Sequence, residues 1–372
     1  MPDKDSDRRE RNIMEASSEA EFETKAQAFS AQLVSILNDG ILGLMISLGH
    51  KLGLFDTLSG LPWSTSEQIA RIAGLNERYV REWLGGMTVG RIVEYNPEDR
   101  TFRLPPEHAA SLTQSAGVDN LAMFFQYIHL MGSVEDQVAE AFRNGGGVPY
   151  AAFPHFQRLQ AEETARIFDH SLVDRIIPLI PGLRETLERG AEVLDIGSGT
   201  GRAMTVLARA FPNSRFRGID LSEEGVATGR EEASRLELTN VQFDQADAAD
   251  LTDQGRYDLI TAFDSIHDMA RPTQALQAIH RALKDGGVFL MQDIDASSNL
   301  EENLDHPMAP TLFGFSTFHC MTVSLAQDGE ALGTVWGRQL ARAKLSEAGF
   351  REVDIKTLPD DILNCFYISR KR

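Results

Sequence analysis

Apolar residues recur at helical spacing in the first part of the chain, between Phe29 and Leu54. Positions three or four residues apart lie on one face of a helix, and here they are Leu33, Leu37, Ile41, Leu44, Leu48 and Leu52. The most apolar stretch, residues 40–49, is half as long as the ~20 residues that a membrane-spanning helix needs, so we predict a buried helix. Residues 1–24 are dense in charge and lack the apolar segment of a signal peptide, and we expect a disordered tail.

Two short helices and two short strands follow this helix. Thr65 and Gln68 have the spacing of a capping box, which opens a helix, and Asn76 can cap a second helix that we expect to end at residues 85–86. Two short strands come next, at residues 92–95 and 101–104. Helix, turn, helix and a two-stranded wing are typical of a winged-helix domain, which we place at residues 25–112.

The charge of this domain argues against DNA as its partner. The recognition helix carries Glu77, Arg78, Arg81 and Glu82, a net charge of zero, whereas a DNA-reading helix needs a basic face. The whole chain has 36 basic and 55 acidic residues, a net charge of −19, which repels nucleic acid and anionic membranes. We therefore expect no nucleic-acid or membrane partner, and predict a homodimer, since a small domain cannot bury the apolar helix around residues 41–48 alone.

The second half of the chain alternates between strand and helix patterns, which is typical of a parallel sheet covered by helices. Seven strands are predicted, at residues 191–196, 216–220, 241–244, 257–263, 287–293, 352–356 and 363–369. The predicted helices begin after Gly201 and near Ser222, Arg271 and Gly337. We assign residues 189–372 to this sheet domain.

Two segments lie outside the winged helix and the sheet. Residues 113–188 are expected to form a helical connector or cap. Their aromatic side chains, which could line an apolar pocket or pack between domains, include Tyr150, Phe153 and Phe156. The connection between the fifth and sixth strands is longer than one crossover helix requires, so we predict a lid-like insertion at residues 296–336.

A glycine-rich loop, VLDIGSGTG at residues 193–201, follows the first predicted strand and opens a helix. Gly197, Gly199 and Gly201 allow a ligand to approach the backbone closely. The loop departs from a dinucleotide-binding fingerprint, because position 202 is Arg202 instead of glycine. A pyrophosphate would also be repelled by Asp195, whose carboxylate suits a ligand that carries positive charge.

Two further carboxylates follow the next strands. Asp220 ends the second strand, where a carboxylate accepts hydrogen bonds from ribose hydroxyls, and Asp247 lies just past the third, where it could accept from an adenine amine. Alternatively, Asp220 is a helix N-cap and Asp247 a surface loop residue. Ribose, adenine and a cationic amino-acid end together specify S-adenosylmethionine (SAM).

The segments VLDIGSGTG, GIDLS, DAADL and YDLITAFDSIHD resemble the motifs of class I, Rossmann-like SAM-dependent methyltransferases, most strongly over residues 190–293. With the winged helix in front, the chain resembles small-molecule O-methyltransferases and a group of uncharacterised bacterial winged-helix methyltransferases. The resemblance implies an α/β fold with a seven-stranded sheet whose last strand is antiparallel. No Asn-Pro-Pro-Tyr motif follows the fourth strand, which argues against methylation of an amino group on adenine or glutamine.

The resemblance also implies the reacting residues. His267, with Asp268 beside it, matches the general base of these O-methyltransferases, and the ordinary histidine pKa of ~6.5 suits that role. Alternatively, His267 is a loop histidine that only packs. Asp264 is expected to hold the methionine end of SAM, and the remaining cofactor-site neighbours are Leu221, Ala248 and Phe263. Weaker candidates in the insertion are His306, His319 and Cys320, which lack metal-ligand spacing, so no metal site is predicted.

We therefore expect a SAM-dependent methyltransferase that acts on a small, fairly apolar acceptor, most simply at oxygen. Two alternatives stay open: a SAM-binding winged-helix transcriptional regulator, and a SAM-dependent enzyme with non-methyl chemistry. Cys320 and Cys365 are too few for a disulfide framework, and we interpret them as reduced thiols of a cytoplasmic protein.

Overall fold

The computed structural model describes residues 4–359 and 361–372, with side chains from residue 21 onward. The chain divides into two compact units, residues 1–128 and 129–372. This division lies 16 residues beyond the predicted end of the winged-helix domain, and the other predicted domain limits stay predictions. Of the expected tail, residues 1–3 lie outside the described residues and residues 4–24 belong to a helix.

The first unit contains five complete α-helices and a two-stranded sheet among its described residues. In chain order these are α1 (Lys4–Lys51), α2 (Leu54–Ser59), α3 (Ser66–Ala73), α4 (Glu77–Val89), β1 (Glu94–Asn96), β2 (Thr101–Arg103) and α5 (Pro106–Leu112). The next helix, α6 (Gln126–Gly132), contains the division between the units. Strands β1 and β2 pair antiparallel as the predicted wing.

Helix α1 is longer and less buried than the sequence pattern predicts. Residues 4–39 contain neither proline nor glycine, the two residues that most disfavour a helix interior, so the helix begins well before Phe29. Ile46 is buried, but Ile41, Leu44 and Leu48 are 54%, 40% and 48% exposed. The prediction of a buried helix therefore holds for one face only.

Part of α1 has the length and composition of a membrane-spanning helix. Residues 21–51 meet that test, and only 17% of their most apolar window is buried. Core helices and N-terminal signal sequences meet the same test, so the finding is weak evidence for a membrane.

The winged-helix caps confirm the local predictions with one correction. The Thr65 side chain accepts from the Gln68 backbone N–H at 3.4 Å, and Gln68 Oε1 accepts from the Thr65 N–H at 2.8 Å. Helix α4, however, continues through residues 85–86 to Val89. A Cβ on Gly86 would lie 2.1 Å from Met45 Cε, so the glycine serves the close packing of α1 on α4 and does not end the helix.

The second unit is built on one seven-stranded sheet. Its strands are β3 (Glu192–Ile196), β4 (Arg215–Asp220), β5 (Val241–Gln245), β6 (Tyr257–Phe263), β7 (Leu283–Ile294), β8 (Val353–Lys356) and β9 (Asn364–Arg370). They lie in the order β5-β4-β3-β6-β7-β9-β8. Neighbours from β5 to β7 pair parallel, whereas β9 is antiparallel to both β7 and β8. The predicted Rossmann-like sheet with an antiparallel last strand is confirmed.

Helices cover both faces of this sheet. After α6, the helices of the second unit are α7 (Glu135–Asn144), α8 (Phe156–Ser171), α9 (Leu183–Arg189), α10 (Arg202–Ala210), α11 (Glu223–Arg235), α12 (Pro272–Ala282), α13 (Ala309–Phe315), α14 (Met321–Leu325) and α15 (Gly337–Glu347), of which α10, α11 and α12 pack directly on strands. Side chains of β3 are buried on both faces of the sheet. Leu194 belongs to the hydrophobic cluster that includes Leu276, and its neighbour Val193 belongs to a second hydrophobic cluster, which includes Leu207. Burying each such side chain contributes about 1.5–3 kcal/mol and stabilises the sheet between its helices. The parallel pairing from β5 to β7 places the carboxyl ends of these strands at one edge.

The insertion at residues 296–336 is folded against the second unit. A π-helical turn, Ser316–Cys320, joins α13 to α14. The Val148 N–H donates to Thr322 Oγ1 at 2.9 Å, and Ser324 Oγ donates to the Met269 carbonyl at 2.9 Å. These bonds attach the insertion beside the segment that follows β6.

Candidate active site

A cleft of about 420 Å³ lies within the second unit, where β3, β4 and β6 end. Ligands of open α/β sheets bind outside these strand ends. Ten of the predicted site residues line the cleft: Asp195, Gly197, Gly199, Asp220, Leu221, Asp247, Ala248, Phe263, Asp264 and Asp268. The other two, Gly201 and His267, lie behind its wall.

The three glycines of the loop serve different purposes, although all have positive φ angles of +68°, +53° and +76°. A Cβ on Gly197 would lie 2.4 Å from Ser265 Cβ, and one on Gly201 would lie 2.3 Å from the Phe243 ring. A Cβ on Gly199 would meet nothing within 4 Å. Gly197 and Gly201 therefore permit internal packing, and Gly199 leaves the cleft open to a ligand.

Asp195 is buried at the base of the cleft. Its Oδ1 accepts a hydrogen bond from the Thr261 hydroxyl at 2.7 Å. Burial raises the pKa of Asp195 to about 7, although the Thr261 bond lowers it. Sequence reasoning missed Thr261, which stands directly opposite Asp195 on β6; aligning the two predicted strands would have found it.

Asp220 braces the glycine loop. Its Oδ2 accepts from the Gly199 N–H at 2.7 Å, and its Oδ1 accepts from the Ser222 N–H at 2.8 Å. Burial raises the pKa of Asp220, and these backbone bonds oppose the rise. The side chain of Ser222 caps α11 by accepting from the Gly225 N–H, so the alternative in which Asp220 is the N-cap is wrong.

Asp247 begins a short 3-10 turn at residues 248–250. Its Oδ1 accepts from the Ala249 N–H at 2.8 Å, and its Oδ2 accepts from Arg271 Nη2 at 2.7 Å. Arg271, which sequence reasoning also missed, contacts Asp250 as well. Asp247 is thus a fixed residue of the cleft wall, and the free lone pairs of its oxygens can still accept from a ligand.

Asp264 follows β6 with a left-handed φ of +49°, unusual for a residue that is not glycine. Its Oδ2 accepts from Gln292 Nε2 at 2.7 Å. Its Oδ1 is buried and has no hydrogen-bond partner among the described residues. Burial, assisted by the charge of Asp293, raises the pKa of Asp264 well above its usual value.

His267 is buried, with both ring nitrogens beside carboxylates. Nδ1 lies 2.9 Å from Asp293 Oδ1, and Nε2 lies 3.2 Å from Asp268 Oδ1. Burial lowers the pKa of His267, but the negative charges of Asp293 and Asp268 outweigh it and raise the pKa well above its usual value. Asp293 also accepts from Trp336 Nε1 at 2.9 Å. Asp293 lies near the end of β7, in the segment MQDID, and this position at a strand end could have identified it as a site residue from the sequence.

Aromatic residues of the predicted cap meet the insertion beside Asp268. The Tyr150 hydroxyl donates to Asp268 Oδ2 at 3.4 Å. The imidazole of His319 stacks on Phe156 with ring centroids 4.3 Å apart, and its Nδ1 lies 3.8 Å from Asp268 Oδ2. The structure thus places His319 beside Asp268, whereas His306 accepts locally from the Met308 N–H.

Three residues here have the ligand types that metals prefer. Atoms of His267, Asp268 and Cys320 lie within 4.8 Å of one another. Burial raises the pKa of the Cys320 thiol to about 11, so a metal would have to displace the thiol proton in order to bind there.

Two family models match the chain. Residues 40–114 match the Rv2258c-like winged HTH domain, and residues 187–326 match a methyltransferase domain. The chain joins a winged helix–turn–helix domain to a methyltransferase domain. The methyltransferase match covers the glycine loop, Asp220, Asp247 and the His267 segment.

Solved structures resemble the chain over nearly its whole length. A putative O-methyltransferase from Nostoc punctiforme gives a TM-score of 0.71 at 18% identity and covers 92% of this chain and 98% of that chain. Human N-acetylserotonin methyltransferase, solved in complex with SAM, gives 0.66 at 18% identity and covers 91% and 96%. At these identities the likeness shows the fold, which is the predicted one.

Curated relatives are matched over less of the chain. The O-methyltransferase cnsE of Penicillium expansum is 24% identical over 238 residues, 62% of this chain and 76% of that protein. Several relatives at 30–33% identity are matched over only 37–52% of their own length. The chain therefore spans about half the length of these relatives.

Proposed function

We propose that this chain transfers a methyl group from SAM to an oxygen atom of a small, fairly apolar acceptor. The observation that carries the proposal is the acidic, glycine-lined cleft at the carboxyl ends of β3, β4 and β6. When bound, SAM supplies an electrophilic methyl group. The chain's own residues hold that cofactor, orient the acceptor and remove its proton.

The residues of the cleft suit the charge and shape of this cofactor. We assign Asp195 to the cationic methionine end of SAM and Asp220 to the ribose hydroxyls, from which it accepts hydrogen bonds. Asp247 accepts from the adenine amine. Ser198 Oγ and Asp264 Oδ1 are buried polar atoms without a hydrogen-bond partner among the described residues, and a polar ligand would satisfy them. The volume of about 420 Å³ lies in the range of small-molecule and cofactor sites.

We infer that His267 and Asp268 take the proton as a pair. Asp268 lines the cleft and is the member that meets the acceptor hydroxyl. His267 lies behind it, and the proton passes from Asp268 Oδ1 to His267 Nε2 across 3.2 Å. Asp293 fixes the imidazole through Nδ1, as the orienting group behind a histidine base does.

The raised pKa of His267 sets the direction of the pH dependence. The base works only when Nε2 is unprotonated, and that form becomes abundant above the pKa. The rate should therefore rise with pH, on a limb more alkaline than that of an ordinary histidine.

The charges of α4 oppose the regulator alternative. Arg78 pairs with Glu82, and Arg81 lies 3.2 Å from Glu77 Oε1. Paired guanidinium groups on an otherwise neutral helix leave no basic face for phosphates. We accordingly propose a small-molecule enzyme, and we place it in the cytoplasm because both cysteines, Cys320 and Cys365, are unpaired and buried.

We also propose that α1 forms a homodimer. Its outer face carries large apolar side chains over many turns, and Phe29, Leu33 and Leu37 are 58%, 51% and 65% exposed. Burying that face against a second copy removes apolar area worth roughly 25 cal/mol per Å² from water. The opposite side of the same stretch carries the exposed charge of Asp39, which favours a protein and solvent surrounding over hydrocarbon.

The proposed activity is tested by incubating the purified protein with SAM and a panel of small hydroxyl-bearing acceptors. Methyl transfer predicts S-adenosylhomocysteine (SAH) and an acceptor product heavier by one CH₂ in the mass spectrum. A product of unchanged mass would instead favour non-methyl chemistry. Specific, salt-dependent binding of a promoter fragment without turnover would favour the regulator.

A further inference from the structure

The cleft is strongly acidic. Among the described residues that line it, six carry a carboxyl group: Asp195, Asp220, Glu224, Asp247, Asp264 and Asp268. The fixed cation in the same lining is Arg202, and its Nε donates to Asp169 Oδ1 at 2.7 Å. The described lining therefore offers no unpaired guanidinium or ammonium group that could hold an anionic acceptor.

The wall beside Asp268 is aromatic. Tyr150 is 36% exposed, and its ring centroid lies 6.0 Å from that of Phe156. Both rings line the cleft, as does Phe153. The two oxygens of Asp268 face different neighbours: Oδ1 lies toward His267, and Oδ2 lies 3.4 Å from the Tyr150 hydroxyl.

The carboxylate of Asp268 can accept a further hydrogen bond. Its Oδ1 faces His267 Nε2 at 3.2 Å, whereas the contacts of its Oδ2 are long, 3.4 Å to the Tyr150 hydroxyl and 3.8 Å to His319 Nδ1. A carboxylate ligand has no donor to offer and would be repelled, whereas an ammonium group offers three. Aromatic faces attract the same cation through their quadrupole.

We propose that the acceptor carries a cationic nitrogen group, which binds at the wall formed by Tyr150 and Phe156 beside Asp268, and that acceptors with a carboxylate there are rejected. The inference rests on the proposed function and deepens it, since it names the charge class of the substrate. The acceptor is then an apolar body with two polar groups, a hydroxyl that accepts the methyl group and a protonated amine that lies toward Asp268 Oδ2.

Three probes of matched shape test the charge preference. They are 2-phenylethylamine, 2-phenylethanol and 3-phenylpropionate, which differ in charge at the end of the same phenylethyl body. Each is titrated by calorimetry into the full-length protein saturated with SAH. We expect the amine to bind about tenfold more tightly than the alcohol, and the carboxylate to bind more weakly than both.

Two variants and one matched control locate the charge preference. Asp268→Asn removes the charge, and the amine should then bind within about twofold of the alcohol. Asp305→Asn makes the same substitution at an exposed residue of the insertion that does not line the cleft, and it should keep the full preference. Tyr150→Leu removes one aromatic face and should lower the affinity for the amine more than for the alcohol, which keeps the test decisive if Asp268→Asn does not fold.

The possible results distinguish failure of the charge-class inference from failure of the proposed methyltransferase function. Failure of the wild-type protein to bind SAH would refute the cofactor assignment. With SAH bound, a carboxylate probe that binds as tightly as the amine would overturn the charge class, and so would a preference that survives Asp268→Asn. The absence of amine binding at millimolar concentration would overturn it as well.

Discussion

Cofactor affinity should depend on pH through Asp195. In the ligand-free protein, burial raises the pKa of Asp195 to about 7, so half of the molecules carry a neutral carboxyl group at pH 7. The cationic end of SAM favours the ionised form, so binding releases the proton. The affinity for SAM should therefore be highest above pH 7, where Asp195 is ionised, and should fall as the pH drops through 7.

The magnitude follows from the position of this pKa. If the cofactor restores the pKa of Asp195 toward its ordinary value of 3.8, the affinity should fall about 50-fold between pH 7 and pH 5, since almost all free protein is then protonated. The Asp195→Asn variant keeps the shape and an oxygen for Thr261 but has no charge to titrate. Its affinity at pH 7 should be about 10- to 100-fold weaker than wild type, the worth of one charge-assisted hydrogen bond.

Calorimetry in two buffers of different ionisation enthalpy measures both the affinity for SAM and the number of protons released on binding. Wild-type protein should release about half a proton per SAM at pH 7, and Asp195→Asn clearly less. Asp285→Asn, which removes an exposed carboxylate of the same unit, is the matched control and should behave as wild type. An affinity that does not change between pH 5 and pH 7, or a proton release that survives in Asp195→Asn, would refute this account of the site.

Four further substitutions address the loop, the base and the dimer. Asp220→Ala should weaken SAM binding by about 1–3 kcal/mol for each hydrogen bond to the charged group that is left unmade; unchanged calorimetric affinity would contradict the ribose assignment. Gly199→Val should abolish SAM binding and leave the sheet folded, with circular dichroism as the control, because this position faces open space. His267→Ala should lower turnover about 10²–10⁴-fold with little effect on SAM affinity and should remove the alkaline limb of the pH–rate profile; turnover within a few-fold of wild type would place the base elsewhere. Leu44→Glu should convert the dimer to a monomer in light scattering, and a monomeric wild-type protein at micromolar concentration would rule the dimer out.

The sequence located the strand ends of the candidate site well because local signals agree there. Alternating strands and helices place the carboxyl ends of β3, β4, β5 and β6 at one edge, so Asp195, Asp220 and Asp247 had to converge. Capping and turn residues marked α3 and the wing for the same reason. The predicted helix end at residues 85–86 was wrong, because from sequence alone a glycine that permits α1 and α4 to pack closely looks the same as one that ends a helix.

By itself, the sequence determined the order of elements, the edge that holds the cleft and the type of group that each strand end presents, because these depend on periodicity and on neighbours along the chain. Tertiary structure decided the partners from distant segments: Thr261 on Asp195, Asp293 behind His267, and the meeting of Tyr150 with Asp268. Those contacts join residues separated by 26 to 118 positions, and only the packing of strands and of the insertion brings them within hydrogen-bond distance. The charge state of His267 depends on that packing too, since burial and two carboxylates from different positions together set its pKa.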